Sequence, residues 1–252
     1  MSRPASASVA IAAMTATELR LVLRRGENLF ATIVIPTLVL VLFSSVSIVP
    51  TGTGRPVDFL LPGTIALGII ATSLVSLGIT TAYDRSYGVL KRLGGSPLGR
   101  GELIVARVLT VLVVEAVQIG LLVATATVVL GWRPAADPSP ILAVVAVLLG
   151  TGAFAGLGLL LAGTLRAETV LALANVLFLG FLVVGGVIVP VAGLPGPLAA
   201  IAAALPAEPL SAVLRAALGT PGADLDIGGQ LVLLGGWTIL LLVAAARTFR
   251  WE

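Results

Sequence analysis

Apolar runs long enough to cross a lipid bilayer dominate this sequence. Hydrophobic residues make up 58% of the 252 residues and charged residues 11%, against roughly a quarter charged in ordinary soluble domains. A helix needs about 20 predominantly apolar residues to cross the hydrocarbon core. The sequence predicts an all-α integral membrane protein with six such transmembrane helices, at about 29–49, 60–82, 103–130, 141–165, 169–190 and 231–246.

The segment 194–219, between the fifth and sixth spans, is apolar but is interrupted by proline at four positions, Pro195, Pro197, Pro206 and Pro209. The uninterrupted piece from Leu198 to Leu205 would rise only about 12 Å as a helix, which is too short to cross. We therefore predict a re-entrant helical hairpin on the outer side, a structure that membranes tolerate only where protein buries it.

The basic residues predict the orientation. With six spans and the N-terminus inside, twelve basic residues lie on the cytoplasmic side and only Arg55, Arg133 and Arg215 lie outside, as the positive-inside rule requires. The net charge of +3 reflects this topology, so no nucleic-acid partner is expected. The Arg-rich, Lys-poor composition indicates a GC-rich bacterial genome. We predict a multi-pass protein of the bacterial inner (plasma) membrane with both termini in the cytoplasm.

The N-terminal arm, 1–28, contains the residue pattern of an amphipathic helix. Leu19, Val22 and Leu23 share one helical face, and Arg20, Arg24 and Arg25 surround it. This pattern predicts an amphipathic interfacial helix on the cytoplasmic leaflet, with basic residues near anionic head groups. The alternative is a disordered basic tail. The first full apolar run begins only at Leu29 and is long enough to span, so we do not expect the arm to be a secretory signal.

The polar stretch between spans two and three carries clustered charge. The helical repeat puts Tyr83, Tyr87, Leu90 and Gly94 on one side and Asp84, Arg85, Lys91 and Arg92 on the other. Gly94-Gly95 would end this helix and Ser96-Pro97 would turn the chain. We predict a short amphipathic helix over 84–95 with a basic aqueous surface; an ordinary basic loop is the alternative.

Few polar side chains lie deep in the predicted spans. Glu115 and Gln118 are three residues apart in span three and therefore share a face, and Asn175 lies in span five. A buried carboxyl group has to face protein or water. Glu115 and Gln118 would form either a polar patch in a translocation path or subunit interface, or interhelical hydrogen bonds that hold the bundle together.

Several chemistries are excluded. The chain has no histidine and no cysteine, and its one lysine, Lys91, follows a leucine, so no phosphate-binding loop is present. We expect no catalytic residues, no metal site, no cofactor in this chain and no enzyme activity. The energy for any transport would come from a partner or from an ion gradient.

Two stretches carry a family resemblance: YDRSYGVLKRLGGSPLGRGELIVAR, from Tyr83, and GVIVPVAGLPGPLAAIAAALPAEPLSAVLRAAL, from Gly186. Together with the basic N-terminal helix and the six spans, they resemble the ABC type-2 exporter permeases, particularly the daunorubicin-resistance kind of drug-efflux permease. One departure is that the first family acid appears as Asp84 and the next is replaced by Ser86. This departure affects any ion pair that such acids would make with an ATPase.

The resemblance implies the fold of the G-subfamily exporters and a half-transporter. Two permease chains, expected as a homodimer, would pair with two separate ABC ATPase subunits that bind ATP and Mg²⁺. The helix over 84–95 would be the coupling helix, and spans two and five would line a cavity with Asn175 and Phe178 in its wall. The expected ATPase contacts are Tyr87, Gly88, Leu90, Lys91, Arg92, Leu93, Pro97 and Leu98.

The resemblance implies efflux of hydrophobic or amphipathic substrates, such as drugs, antibiotics or lipids, as in multidrug resistance. A polysaccharide or glycoconjugate exporter of the same family is one alternative, against which the 5% aromatic content argues. A secondary transporter without an ATPase is another, although the inverted repeats typical of that class are not evident. The pattern does not identify the substrate.

Overall fold

The computed structural model describes residues 6–24, 26–46, 55–95, 99–134, 138–187, 191–220 and 226–248. These residues form α-helices and no β-strand. A π-helical segment, Ala71–Ser76, joins α3 to α4, and a 3₁₀ turn covers Val191–Gly193. The helices are α1 (Ala7–Arg24), α2 (Gly26–Val46), α3 (Pro56–Ile70), α4 (Leu77–Ser86), α5 (Val89–Gly94), α6 (Arg100–Val128), α7 (Pro140–Thr164), α8 (Ala167–Val184), α9 (Gly196–Ala204), α10 (Ala207–Leu218) and α11 (Ile227–Thr248).

The predicted all-helical membrane fold is confirmed. Five helical stretches in the described part of the chain are long and apolar enough to cross a membrane: Pro56–Ser86, Gly101–Val128, Pro140–Thr164, Ala167–Val184 and Ile227–Thr248. The predicted first span corresponds to α2, which has 21 residues and whose described apolar part is Thr32–Val46.

The long helix formed by α3, the π segment and α4 is the centre of the bundle. Helices α2, α6, α7, α8 and α10 all pack against parts of it. Two glycines bring α7 very close: a Cβ at Gly158 would lie 2.9 Å from the carbonyl oxygens of Ser73 and Leu74, and a Cβ at Gly78 would lie 3.1 Å from the Gly158 Cα. The crossing therefore depends on the absence of side chains at both positions.

Helices α9 and α10 lie at one end of the bundle and are bent by 77° from one another; we call this end the hairpin end, after the hairpin that the sequence predicts. They have 9 and 12 residues, so neither crosses alone. Arg215 fixes α10 in place. Its side chain is only 7% exposed, donates to the carbonyl oxygen of Gly186, and lies 4.1 Å from the centroid of the Phe59 ring.

The opposite end of the bundle, the α5 end, differs from the prediction of one helix over 84–95. Helix α4 ends at Ser86, and Gly88 adopts a left-handed conformation with φ of +71°, which glycine adopts at little cost. The helical phase is reset there, so Tyr87 is 72% exposed and does not share the apolar side with Leu90. Helix α5 then ends at Gly94, with Gly95 as its C-cap.

Candidate functional site

Helix α5 combines a buried anchor with an exposed basic surface. Leu90 is fully buried, in a cluster with Leu77 of α4 and Leu103 of α6. Lys91 and Arg92, which follow it, are both exposed. Since burying a leucine side chain is worth about 1.5–3 kcal/mol, α5 is held against α4 and α6 while its two basic side chains remain accessible.

An ion-pair cluster ties the end of α4 to α1 and α6. Arg107 of α6 is 3% exposed, and its Nη2 lies 2.5 Å from Oδ2 of Asp84 and 3.5 Å from Oε1 of Glu18. Its Nη1 donates to the Thr81 hydroxyl at 2.5 Å. A buried guanidinium is tolerated only with such partners, and so the three helices are held together by one side chain.

The neighbouring Arg85 makes a further connection at the α5 end. Its guanidinium donates to the carbonyl oxygen of Leu165, between α7 and α8. The sequence pattern placed Asp84 and Arg85 on an aqueous surface with Lys91 and Arg92. The structure instead makes both of them half-buried, because α4 continues the buried central helix up to the break at Gly88.

Glu115 lies fully buried between three elements of the bundle. One carboxyl oxygen accepts a hydrogen bond from the Ser73 hydroxyl of the π segment at 2.7 Å, and the other accepts one from the Thr151 hydroxyl of α7 at 2.5 Å. The carboxyl group therefore joins α6, α7 and the π segment. This geometry matches the hydrogen-bonding alternative for Glu115.

Gln118 has a related position one turn along α6. Its Nε2 donates to the carbonyl oxygen of Thr32 in α2 at 2.7 Å, and its Oε1 lies 3.4 Å from the Thr72 hydroxyl. Thr32 is four residues before Pro36, which lies inside α2. Because proline has no N–H, it cannot donate the helical hydrogen bond to that carbonyl. Gln118 supplies a donor in its place, as neighbouring helices commonly do in membranes.

The π segment therefore has a polar side, with Thr72 and Ser73, held by Gln118 and Glu115. Its other side faces a groove between α2 and α8, the α2–α8 groove, of about 410 Å³. Single π-helical turns inside α-helices are frequent at functional sites. The described residues that line the groove are Thr32, Ile35, Pro36, Ala71, Val75, Ser76, Ile79, Thr80, Leu171, Asn175 and Phe178.

Asn175 and Phe178 lie together on the α8 side of this groove, one turn apart. Asn175 is exposed, and its Nδ2 donates to the carbonyl oxygen of Leu171 on its own helix at 2.7 Å. The groove residues around Asn175 are mostly apolar. The groove offers an apolar wall with a few hydroxyl and amide groups, the usual composition of a binding site for a hydrophobic molecule.

Comparison with known families identifies the chain. A sequence model for the ABC-2 type transporter matches residues 9–218, from α1 to the end of α10, which is more than half of the chain. The chain belongs to the ABC-2 type transporter family. A comparison with curated proteins gave no match.

In this ABC-2 type transporter chain, the predicted site residues fall into three groups. Asn175 and Phe178 line the α2–α8 groove, while Glu115 and Gln118 lie behind it. Tyr87 to Leu93 form α5 and the turn before it, with Leu90 buried and Leu93 half-buried. Pro97 and Leu98 lie outside the described residues. The roles of these residues in substrate binding and in ATPase contact remain predictions.

Sequence reasoning missed Arg107 of the transporter as a site residue. It was counted only as one basic residue near a span end, yet it forms the centre of the ion-pair cluster. A signal was present, because Arg107 lies two turns inside a helix that is predicted to cross the membrane, where an unpaired charge is costly. The identity of its partners, Asp84 and Glu18, depends on how α1 and α4 pack and could not be read from spacing.

Proposed function

We propose that this chain is the permease subunit of an ABC exporter that moves hydrophobic or amphipathic molecules out of the cytoplasm or the inner leaflet. Drugs, antibiotics and lipids are the substrate classes that fit an apolar path. The energy comes from ATP, bound with Mg²⁺ and hydrolysed in a separate ATPase subunit. The observation that carries this proposal is α5, whose exposed Lys91 and Arg92 project from a helix anchored by the fully buried Leu90.

The α5 end is then the cytoplasmic end, in the bacterial inner membrane, with both termini on that side. An ATPase subunit that moves α5 moves α4 with it through the buried Leu90. The Asp84–Arg107 pair and its Glu18 neighbour carry the same displacement to α6 and α1. Packed helices switch between discrete arrangements rather than deform continuously, so a small shift at α5 tilts the central helix as a unit.

The π segment is the position at which we expect the central helix to bend. Its groove side is lined by small and apolar residues, while its other side is held by Glu115 and Gln118. Movement of α4 relative to α3 about this segment would widen or narrow the α2–α8 groove. We therefore assign the substrate path to this groove, with Asn175 and Phe178 in its wall.

A second copy of the chain would cover the groove. The flanking helices expose apolar side chains there: Ile35 and Leu38 of α2 are 52% and 51% exposed, and Val176 and Leu179 of α8 are 64% and 56% exposed. Two copies related by a two-fold axis, the commonest symmetry of soluble oligomers, would enclose a central cavity between two such grooves. Each copy would engage one of two ATPase subunits.

Affinity purification tests the ATPase contact. We expect an ATPase subunit to co-purify with the tagged wild-type chain in mild detergent. The double variant Lys91→Glu/Arg92→Glu should retain roughly tenfold less of it, because reversing two charges at a complementary interface costs well over 1 kcal/mol. The control is Arg133→Glu, which reverses an exposed charge at the hairpin end. Equal recovery of the ATPase with both variants would contradict the proposal.

A further inference from the structure

The end of α8 is bonded to α10 by one side chain at the hairpin end. Arg215 of α10 donates from Nη2 to the carbonyl oxygen of Gly186, and the same nitrogen lies 3.4 Å from the carbonyl oxygen of Val187. Among the hydrogen bonds of the described residues, only those of Arg215 join α10 to the segment 185–187. Because α8 forms one wall of the α2–α8 groove, Arg215 fixes that wall at the hairpin end.

The segment 185–187 is closely packed on two sides. A Cβ at Gly63 of α3 would overlap the carbonyl oxygen of Val187, and a Cβ at Gly185 would lie 2.6 Å from the Cβ of Ala207 in α10. Val187 is fully buried. The segment therefore lies enclosed between α3 and α10. Movement of α8 that widens the groove at this end requires the segment to separate from both helices.

Helix α10 is also bonded to the rest of the bundle at its C-terminal end. The hydroxyl of Thr220, just after α10, donates to the carbonyl oxygen of Asp58 in the first turn of α3 at 2.9 Å. The carbonyl oxygen of Ala217 accepts from the backbone N–H of Ser139, at the start of α7, at 2.9 Å. These bonds hold α10 to α3 and α7. If α8 moves while α10 stays in place, the bonds of Arg215 have to break.

Glu208 offers the guanidinium of Arg215 a second partner. It lies two turns before Arg215 on the same face of α10, and its Cγ would be 3.2 Å from a Cβ at Gly186. The Oε2 of Glu208 and the Nε of Arg215 are both buried without a hydrogen-bond partner. Buried polar atoms are almost always hydrogen-bonded, so such exceptions require an explanation. Long side chains on a helix point toward its N-terminus, which directs Arg215 toward Glu208.

We propose that Arg215 is a gating residue at the hairpin end and that it exchanges partners when the groove opens. In the closed state its guanidinium bonds to the carbonyl oxygen of Gly186. In the open state the end of α8 moves away, and the guanidinium forms an ion pair with the carboxylate of Glu208. The exchange keeps the buried guanidinium paired in both states, as its burial requires. This inference rests on the proposed exporter function and adds the control of the exit.

Cysteine labelling tests the gate, because the chain contains no cysteine of its own. The reporter is Val187→Cys, and the reagent is a membrane-impermeant maleimide. The full-length chain is studied in nanodiscs, either alone or with the co-purified ATPase arrested by ATP and vanadate. Two control positions lie at the same end of the bundle. Ala126→Cys, at a fully buried position of α6, reports general loosening, and Arg133→Cys, at an exposed position, reports full reactivity.

In the chain alone, we expect Val187→Cys to react slowly. Arg215→Gln should raise its labelling rate roughly tenfold, because hydrogen bonds from a charged donor hold the closed state. Arg215→Lys should have a smaller effect, since it keeps the charge but loses the planar fork of donors. Glu208→Gln should leave the rate unchanged, because the closed state does not use its carboxylate. Unchanged rates in both Arg215 variants would overturn the inference. If Ala126→Cys becomes reactive in Arg215→Gln, Arg215→Lys and Glu208→Gln decide.

In the vanadate-arrested complex, we expect Val187→Cys to react severalfold faster than in the chain alone. Glu208→Gln should remove most of this increase, because a neutral amide cannot form the ion pair of the open state. In an Arg215→Gln background, Glu208→Gln should have no further effect. No increase on arrest, or an equal increase with and without Glu208→Gln, would overturn the inference.

The recovery of the ATPase separates this inference from the proposed function. Either contradictory result in a complex that retains its ATPase refutes the exchange of partners alone. Failure to recover any ATPase refutes the proposed function instead. In that case the labelling rates of the chain alone still decide whether Arg215 holds the hairpin end closed.

Discussion

At the residue scale, Gln118 and Glu115 of α6 show how the bundle satisfies polar side chains that lipid cannot hydrogen-bond. Gln118 donates to the carbonyl of Thr32, whose usual donor is missing because position 36 is proline. Glu115 accepts from Ser73 and Thr151 on two different elements. Each side chain is buried, and each stabilises the central helix at the π segment.

A double-mutant cycle tests the link between Gln118 and Pro36. We expect Gln118→Leu to lower the free energy of unfolding in mixed micelles by about 1 kcal/mol, a typical value for a hydrogen bond between membrane helices. In a Pro36→Ala background the cost should fall, because the backbone N–H that this substitution restores can itself donate to the Thr32 carbonyl. Equal costs of Gln118→Leu in both backgrounds would show that the two positions are not coupled.

Glu115→Leu separates the two roles considered for this residue. It removes two interhelical hydrogen bonds, so we expect a loss of about 1–2 kcal/mol in unfolding free energy. The ATP turnover of the assembled complex, per folded molecule, should stay close to wild type. Glu115→Gln keeps one acceptor and should be intermediate in stability. Normal stability with abolished turnover would instead place Glu115 in the translocation path.

At the element scale, close helix crossings and resets of helical phase decide the architecture. The crossing of α7 over the central helix depends on Gly158 and Gly78, which leave room only for backbone. The break at Gly88 orients α5 independently of α4. The close crossing holds α7 against the central helix, and the break at Gly88 leaves Lys91 and Arg92 exposed.

Adding a methyl group at the crossing should be destabilising. In Gly158→Ala the new Cβ would lie 2.9 Å from two backbone oxygens of the central helix, which cannot move without disturbing the π segment. We expect a loss of about 1–3 kcal/mol in unfolding free energy. Gly120→Ala in α6 is the matched control, because no atom lies within 4 Å of its Cβ position. Equal stability of the two variants would contradict the packing described.

The sequence was sufficient to predict the helices but not all of their connections. Length and hydropathy predict the spans, and the four prolines between spans five and six predict a broken segment, which the structure describes as two helices bent by 77°. The helical wheel over 84–95 is right for Leu90, Lys91 and Arg92. It is wrong for the residues before Gly88, because the positive φ of this glycine resets the helical phase. The partners of Arg107, Glu115 and Gln118 depend on contacts between helices distant in sequence, which periodicity cannot supply.

At the scale of the whole molecule, the two ends of the bundle are built differently. At the hairpin end Arg55 donates to the carbonyl oxygens of Leu130 and Gly131, and Arg215 fixes α10 to the segment after α8. Both basic side chains make internal contacts, whereas Arg133 at the same end is exposed. At the α5 end Arg107 also makes internal contacts, and Lys91 and Arg92 form an exposed basic pair on one short helix. This exposed pair agrees with an external partner that acts at the α5 end.

The ATP turnover of the partner subunit tests most directly whether that subunit is coupled to this chain through α5. The co-purified ATPase would be assayed in nanodiscs alone, with the wild-type chain, and with the Lys91→Glu/Arg92→Glu chain at a concentration that restores binding. We expect the wild-type chain to change the turnover severalfold and the variant to leave it at the value of the ATPase alone. Turnover that is the same in all three samples would contradict coupling through α5.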